Sequence, residues 1–144
     1  MKDDDRALCA TAAGLLRAGG AIAAWGLALS AIAVAVLALT GRSLPTASWA
    51  AFALVALFGL LERYVAFRLA HEARIFEALG KSAPDAIHAL PALDRALETL
   101  GLRREDEPSK PLAERVRAAR QLLQRHGLVV VAQTIAFALA LALQ

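Results

Sequence analysis

The chain has 144 residues, of which 58% are hydrophobic and 20% charged, with a net charge of +3 and a single cysteine, Cys9. Ordinary soluble domains are roughly 45–50% apolar. This composition and a mean hydropathy of +0.52 exclude a typical soluble domain and indicate a membrane protein. A lone cysteine also excludes an intramolecular disulfide and a multi-cysteine metal site.

Residues 1–20 precede the first long apolar run. The acidic run Asp3-Asp4-Asp5 marks a helix start, because carboxylates cap free N–H groups and interact favourably with the helix dipole. One interpretation is a separate interfacial helix over residues 1–20, joined to the first span at Gly19-Gly20. The other, which we favour, is one helix from about Asp4 to Leu39, bent at those glycines. The acidic start and the length of the apolar run do not fit a cleaved signal peptide.

Residues 21–61 are predicted to form a transmembrane hairpin. The run from Ala21 to Thr40 has no ionisable side chain. A helix of about 20 residues, at about 1.5 Å per residue, matches a hydrocarbon core of about 30 Å. The polar stretch Gly41 to Thr46 would form the turn. The second helix then carries Trp49 and Tyr64 at spacings that suit the two membrane interfaces.

Residues 62–126 hold most of the charge and are predicted to form a small cytoplasmic helical lobe. The second helix should project beyond the membrane until Gly80 caps it, and it needs a partner for an apolar stripe along one side. We expect the rest of this segment to cover that stripe, with another protein or a second copy as the alternative. The stripe consists of Leu61, Val65, Leu69, Ala73, Phe76 and Leu79.

The remainder of the segment is predicted to contain two further helices. Pro91 suits a first helical position and Gly101 a C-terminal cap, with Leu93, Leu97 and Leu100 on one face between them. A basic amphipathic helix should begin near Lys110 and continue into a third transmembrane helix over residues 127–144.

The distribution of basic residues predicts the orientation. Three of the 16 Lys and Arg residues precede the first span, one lies in the hairpin turn, twelve lie between Arg63 and Arg125, and none follows the third span. By the positive-inside rule, the N-terminus and residues 62–126 face the cytoplasm and the C-terminus lies outside. The Ala- and Arg-rich composition is typical of a bacterial inner-membrane protein.

Two sets of residues are candidate contact sites. Small residues at four-residue spacing let helix backbones approach closely in lipid, so they predict packing between helices or against a partner, together with Leu69 and Phe76 of the projection. They are Gly20, Ala24 and Ala28 in the first span and Ala132, Ala136 and Ala140 in the third. Basic side chains at the membrane surface predict contact with lipid headgroups: Arg115, Arg117, Arg120 and Arg125.

No catalytic or cofactor motif is present in the sequence. His71-Glu72 begins a metalloprotease-like pattern, but position 75 is isoleucine, so the second histidine is missing. We therefore expect no metal, cofactor or enzymatic activity, and the weak net charge of residues 62–126 argues against nucleic-acid binding. Charges at the inner ends of spans can snorkel, which disfavours a proton relay. We expect Glu62 to pair with Arg17 or Arg125, and His126 to lie among the headgroups.

These observations predict an all-α polytopic membrane protein with three transmembrane helices. The expected function is that of a non-enzymatic accessory or scaffold subunit, embedded in the phospholipid bilayer and packed against a larger membrane protein complex. The alternative is a self-assembling, homo-oligomeric pore or transport subunit, which requires polar residues along one face of a span. Ser30, Gln133 and Thr134 are nearly the only candidates for that face. A membrane enzyme acting on lipids is a third possibility, for which Glu62, His71 and Glu72 fall short of a cluster.

Overall fold

The computed structural model describes residues 3–81, 89–99, 101 and 111–144, and it is all-α. Its four helices are α1 (Asp3–Thr40), α2 (Thr46–Lys81), α3 (Ala89–Thr99) and α4 (Leu112–Ala142). By length and composition, α1, α2 and α4 can each cross a membrane, whereas α3 is short. The predicted fold class is confirmed.

Each long helix is longer than the hydrocarbon core of a bilayer is thick. The 38 residues of α1 extend over about 57 Å at 1.5 Å per residue, against a hydrocarbon core of about 30 Å. We call residues 21–61 and 127–144 the apolar half of the bundle and the described residues of 3–20 and 62–126 its charged half. Both α1 and α4 pass from one half to the other without interruption, so the favoured continuous first helix is confirmed.

The three long helices form one bundle in which α1 and α2 are antiparallel and α4 returns alongside both. Gly80 of α2 lies opposite Cys9, near the start of α1, and Gly59 lies opposite Ser30. The Trp25 indole N–H donates to Thr134 Oγ1 at 3.2 Å, which joins α1 to α4 at the middle of the bundle. The register is thus established by contacts along the whole length of the helices.

Two separate apolar clusters stabilise the bundle, one in each half. The cluster of the apolar half includes Phe52, whose ring packs edge-on against Phe137 with centroids 5.9 Å apart. The cluster of the charged half contains Leu69 and Phe76 and also buries Cys9. Most of the predicted stripe on the α2 projection is therefore covered within this chain. Residues 112–123 of the same segment cover part of it, as expected, but residues 9–16 of α1, which the prediction did not include, cover the rest. Leu61 is the exception, since it is 48% exposed.

Glycine has different roles at the two predicted helix ends. Gly101 has a φ of +68°, in the left-handed region that favours glycine, and its N–H donates to the Glu98 carbonyl at 2.9 Å. The predicted cap after α3 is therefore confirmed. Gly80 is not a cap, because α2 continues to Lys81. Its lack of a side chain instead suits the approach of Cys9, whose Cβ would lie 3.4 Å from a Cβ added at Gly80.

An ion pair between Arg115 of α4 and Asp94 holds α3 against the bundle. The two side chains are only 18% and 7% exposed.

Replacing Arg115 by alanine leaves a buried carboxylate without its guanidinium. We therefore expect the free energy of opening α3 to fall by about 1–3 kcal/mol. Amide hydrogen exchange should show faster exchange in α3 and little change in the middle of α1. Arg117→Ala, at an exposed position on the same helix, is the matched control; equal exchange in the two variants would contradict the prediction.

Candidate functional site

A layer of polar side chains lies inside the bundle, between the two apolar clusters. We call Ser30, Glu62, Arg63, His126 and Gln133 the polar layer. The side chains of Glu62, His126 and Gln133 are completely buried. Polar groups cost free energy when they are buried without partners, so the contacts within this layer determine whether the arrangement is stable.

The Glu62 carboxylate is the centre of the layer and accepts hydrogen bonds from two residues. Arg63 donates from Nε to Oε2 at 2.6 Å and from Nη2 to Oε1 at 2.8 Å. Nε2 of His126 lies 2.9 Å from Oε1. Arg63 is 41% exposed and also donates to the Ala23 carbonyl. Its guanidinium thus closes one side of the site and balances the buried negative charge.

His126 contacts Glu62 through one ring nitrogen only. An ionised carboxylate can only accept hydrogen bonds, so we assign the proton to Nε2 as the donor. The other nitrogen, Nδ1, is buried and has no hydrogen-bond partner within the part of the chain that the structure describes.

Gln133 ties α4 to both other long helices. Its Nε2 donates to Ser30 Oγ at 2.8 Å and to the Gly26 carbonyl at 3.0 Å, and lies 3.5 Å from the Val55 carbonyl. Ser30 in turn donates to the Gly26 carbonyl at 2.8 Å. Gln133 Oε1 is the second buried atom without a partner among the described residues.

Two glycines make room for the polar layer. A Cβ added at Gly59 would collide with the Ser30 side chain, lying 2.8 Å from its Cβ. A Cβ added at Gly26 would lie 3.0 Å from both Cγ and Cδ of Glu62. Real Cβ atoms essentially never lie as close to another atom as the added Cβ at Gly59 would, so α1 and α2 can meet there only because position 59 lacks a side chain. At Gly26 the contact is tight, and a side chain would require Glu62 to shift.

An open groove of about 320 Å³ leads from the charged half to His126. It lies between α1 and α2, and its walls include Leu16, Leu69 and Ala70. Arg17, Arg74 and Glu77 also line it, and Arg17 and Glu77 form an ion pair across it. The groove contacts the polar layer through His126.

The structure separates the predicted small-residue positions into two groups. Ala136 and Ala140 are buried in the cluster of the apolar half, and Ala132 is half-buried. Gly20, Ala24 and Ala28 are exposed on the outer face of α1. Leu69 and Phe76 are buried in the charged half. Contacts with a partner are a prediction only for the α1 group, because this chain already covers most of the others.

The predicted basic set is also divided. Arg117, Arg120 and Arg125 are exposed, and their contact with lipid headgroups stays a prediction. Arg115 is largely buried against Asp94.

The predicted environments of Glu62 and His126 were wrong. Arg17 pairs with Glu77, and Arg125 is exposed, so the partners of Glu62 are Arg63 and His126. His126 is fully buried rather than exposed to headgroups. His71 is exposed. No group of His, Cys, Asp or Glu suitable for a metal ion occurs in the described ranges.

Comparison with family models, curated proteins and solved structures gives no match. Two sequence signals pointed toward the polar layer: Gln133 within a span, and glycine at positions 26 and 59 of facing helices. Neither is specific, because the helix register decides whether such residues meet.

Proposed function

We propose that this chain is a non-enzymatic integral membrane subunit that acts as an accessory or scaffold and packs against a larger membrane protein complex. The observation that carries the proposal is the outer face of α1. Six small residues at three- and four-residue spacing follow this face through the whole span, and all six are exposed: Gly20, Ala24, Ala28, Ala31, Ala35 and Ala38. We call them the α1 stripe.

Apart from Gly20, which also lines the groove between α1 and α2, the α1 stripe lies on the side of the helix away from the bundle. The contacts of α1 with the bundle are made by residues such as Gly26, Leu29 and Ala33. Larger exposed side chains, among them Trp25 and Leu27, flank the α1 stripe. Small residues between larger ones form a shallow channel along a helix, into which a second helix fits. In lipid, where no hydrophobic drive brings helices together, such close van der Waals packing supports association.

The alternative of a homo-oligomeric pore has less support. A pore requires polar side chains on an outer face, where copies of the chain meet around an axis. Ser30 and Gln133 instead contact each other inside the bundle. The Thr134 hydroxyl donates to the Val130 carbonyl at 2.8 Å and accepts a hydrogen bond from the Trp25 indole N–H.

We further propose a bacterial inner-membrane location with the charged half in the cytoplasm. The support is the distribution of basic residues along the sequence, of which twelve of 16 lie between Arg63 and Arg125. In this orientation the exposed Arg117, Arg120 and Arg125 lie on the cytoplasmic side, where anionic lipids attract basic side chains.

The test is the substitution Ala24→Leu, which fills the α1 stripe without touching the bundle. The native protein, extracted gently from its own membranes, should appear in native mass spectrometry with a stoichiometric membrane partner. We expect the variant to lose most of that partner, because the leucine side chain prevents close approach of the second helix, and a loss of roughly 1–2 kcal/mol corresponds to a factor of about 5–30 in association.

Ala138→Leu, at an exposed alanine on α4, is the matched control and should retain the partner. Equal recovery of the partner with both variants would contradict the proposal that the α1 stripe binds the partner. Recovery of the native protein as a closed homo-oligomer would favour the pore instead.

A further inference from the structure

We propose that the groove between α1 and α2 binds one anionic phospholipid, with the lipid phosphate beside Arg74 and the start of the acyl chains over the small side chains at the opposite end. This inference goes beyond the proposed function, because it concerns a lipid and requires no protein partner. It is also separate from the basic residues predicted to contact headgroups, since all four of those lie on α4.

The depth of the groove in the membrane is the first argument. A helix crosses a hydrocarbon core of about 30 Å in about 20 residues. Counted back from Thr40, where α1 reaches the hairpin turn, that distance ends at Ala21, and the groove lines α1 between residues 16 and 23. The same count from the first residue of α2 ends at Val65, directly before the lining residue Ala66. The groove therefore begins at the edge of the hydrocarbon core and extends into the headgroup layer.

The order of polarity along the groove is the second argument. Arg17, Arg74 and Glu77 line its end in the charged half. Ala23 and Ala66 line its other end, next to the apolar half. A phospholipid in a bilayer has the same order, with its charged headgroup in the interface and its acyl chains in the hydrocarbon core. A lipid can therefore occupy the groove without leaving its normal depth.

Charge complementarity indicates that the lipid is anionic. Glu77 is already balanced by two cations, Arg17 and Lys81, and Lys81 Nζ lies 2.6 Å from its carboxylate. Arg74, in contrast, has no hydrogen bond or ion pair to any other residue that the structure describes. A guanidinium can donate two parallel hydrogen bonds to a phosphate, and basic pockets between membrane helices bind anionic headgroups. The phosphate thus supplies the partner that Arg74 lacks.

The groove has enough room for a headgroup and is open to the bilayer. Its volume of about 320 Å³ lies within the range of small-ligand sites, roughly 300–1,000 Å³. Gly20, Ala70 and Arg74 line the groove and are also exposed on the surface of the bundle. A lipid can therefore enter sideways from the membrane, and the helices do not have to separate.

The test is native mass spectrometry of the full-length protein in detergent, titrated with phosphatidylglycerol or with phosphatidylcholine of the same acyl chains. We expect one phosphatidylglycerol to bind at least about fivefold more tightly, because the choline of the other lipid carries a positive charge that the basic side chains oppose. Equal affinity for the two lipids would overturn the proposal. Glycerol phosphate at the same concentration should not displace the bound lipid, and displacement would show that the ligand is a soluble phosphate instead.

Arg74→Gln tests the phosphate contact. Hydrogen bonds to charged groups are strong enough that we expect this variant to bind phosphatidylglycerol at least about tenfold more weakly. Arg68→Gln is the matched control, because Arg68 is exposed on the same helix and does not line the groove. It should weaken binding by no more than about fivefold, the share of a basic residue that only lies near a membrane surface. Equal weakening by both variants would mean that general surface charge attracts the lipid and that the groove does not bind it.

Ala70→Phe tests the groove itself, because it fills the space from an exposed wall position. It should remove most of the bound phosphatidylglycerol, whereas Ala138→Phe, at an exposed position on α4, should retain it. Retention of the lipid in both variants would exclude the groove as the site. Ala24→Leu separates this proposal from the proposed function: Ala24 is outside the lining, so that variant should keep the lipid even where it loses the protein partner. Loss of the lipid in Ala24→Leu would contradict its placement in the groove.

Discussion

Replacing Glu62 by alanine is expected to lower the free energy of unfolding by about 3 kcal/mol, the lower end of the range for breaking a buried ion pair. The substitution removes the acceptor for His126 Nε2, which lies 2.9 Å away in a fully buried site. It also leaves a cavity between the two apolar clusters. The loss is not larger because Arg63, at 41% exposure, can turn its guanidinium toward water.

Unfolding of the protein by denaturant in detergent micelles measures this loss in the free energy of unfolding. Glu72→Ala is the matched control: Glu72 lies on the same helix, is half-buried, and has no ion pair within the described residues. We expect the control to change the free energy by no more than about 0.5 kcal/mol. A Glu62→Ala protein as stable as the control would contradict a structural role for the polar layer.

A double-mutant cycle with His126→Ala shows whether the two residues act together. If the contact between Glu62 and His126 provides most of each effect, the double variant should be only a little less stable than either single variant. Additive losses would mean that the two side chains stabilise the bundle independently.

Gly59→Val is expected to destabilise the bundle by about 3 kcal/mol, the upper end of the usual range for overpacking. Even a single Cβ at this position collides with the Ser30 side chain, and it lies 3.5 Å from Gln133 Nε2. Valine therefore forces α1 away from α2 and stretches the hydrogen bonds of Gln133. Thermal unfolding in micelles, followed by circular dichroism, measures the effect.

Gly14→Val is the matched control, because a Cβ at Gly14 meets nothing within 4 Å. It should leave stability unchanged or slightly increased, since glycine is a poorer helix former than valine. Adding Ser30→Gly to the Gly59→Val protein removes the side chain that the new methyl groups strike, and should restore part of the loss. Equal destabilisation by Gly14→Val and Gly59→Val would mean that the close approach of the helices is not the cause.

The residues of the α1 stripe show why helix packing was only partly predictable. Gly20, Ala24 and Ala28 and the alanines at 132, 136 and 140 have the same spacing in the sequence. In the structure the first three face outward, whereas Ala136 and Ala140 are buried. Spacing identifies which residues share a face of a helix. It does not identify which face meets the bundle when small residues occur on several sides, as they do in this alanine-rich chain.

The amino-acid sequence by itself determined the number and extent of the long helices, because apolar runs, glycines and prolines act locally along the chain. The apolar stripe of the α2 projection was also predictable, since its residues recur every three or four positions and therefore lie along one side of the helix. Both features depend on the spacing of residues within a single helix.

Only the tertiary structure decided the polar layer. Glu62 and His126 are 64 positions apart, and the sequence alone predicts that each lies near a membrane surface, where charged residues at the ends of spans usually lie. Gly26 and Gly59 let α1 and α2 approach closely enough to enclose Glu62, and α4 then brings His126 and Gln133 into the same layer. Such a contact depends on the register of three helices at once, and a periodic pattern within one helix contains no information about that register.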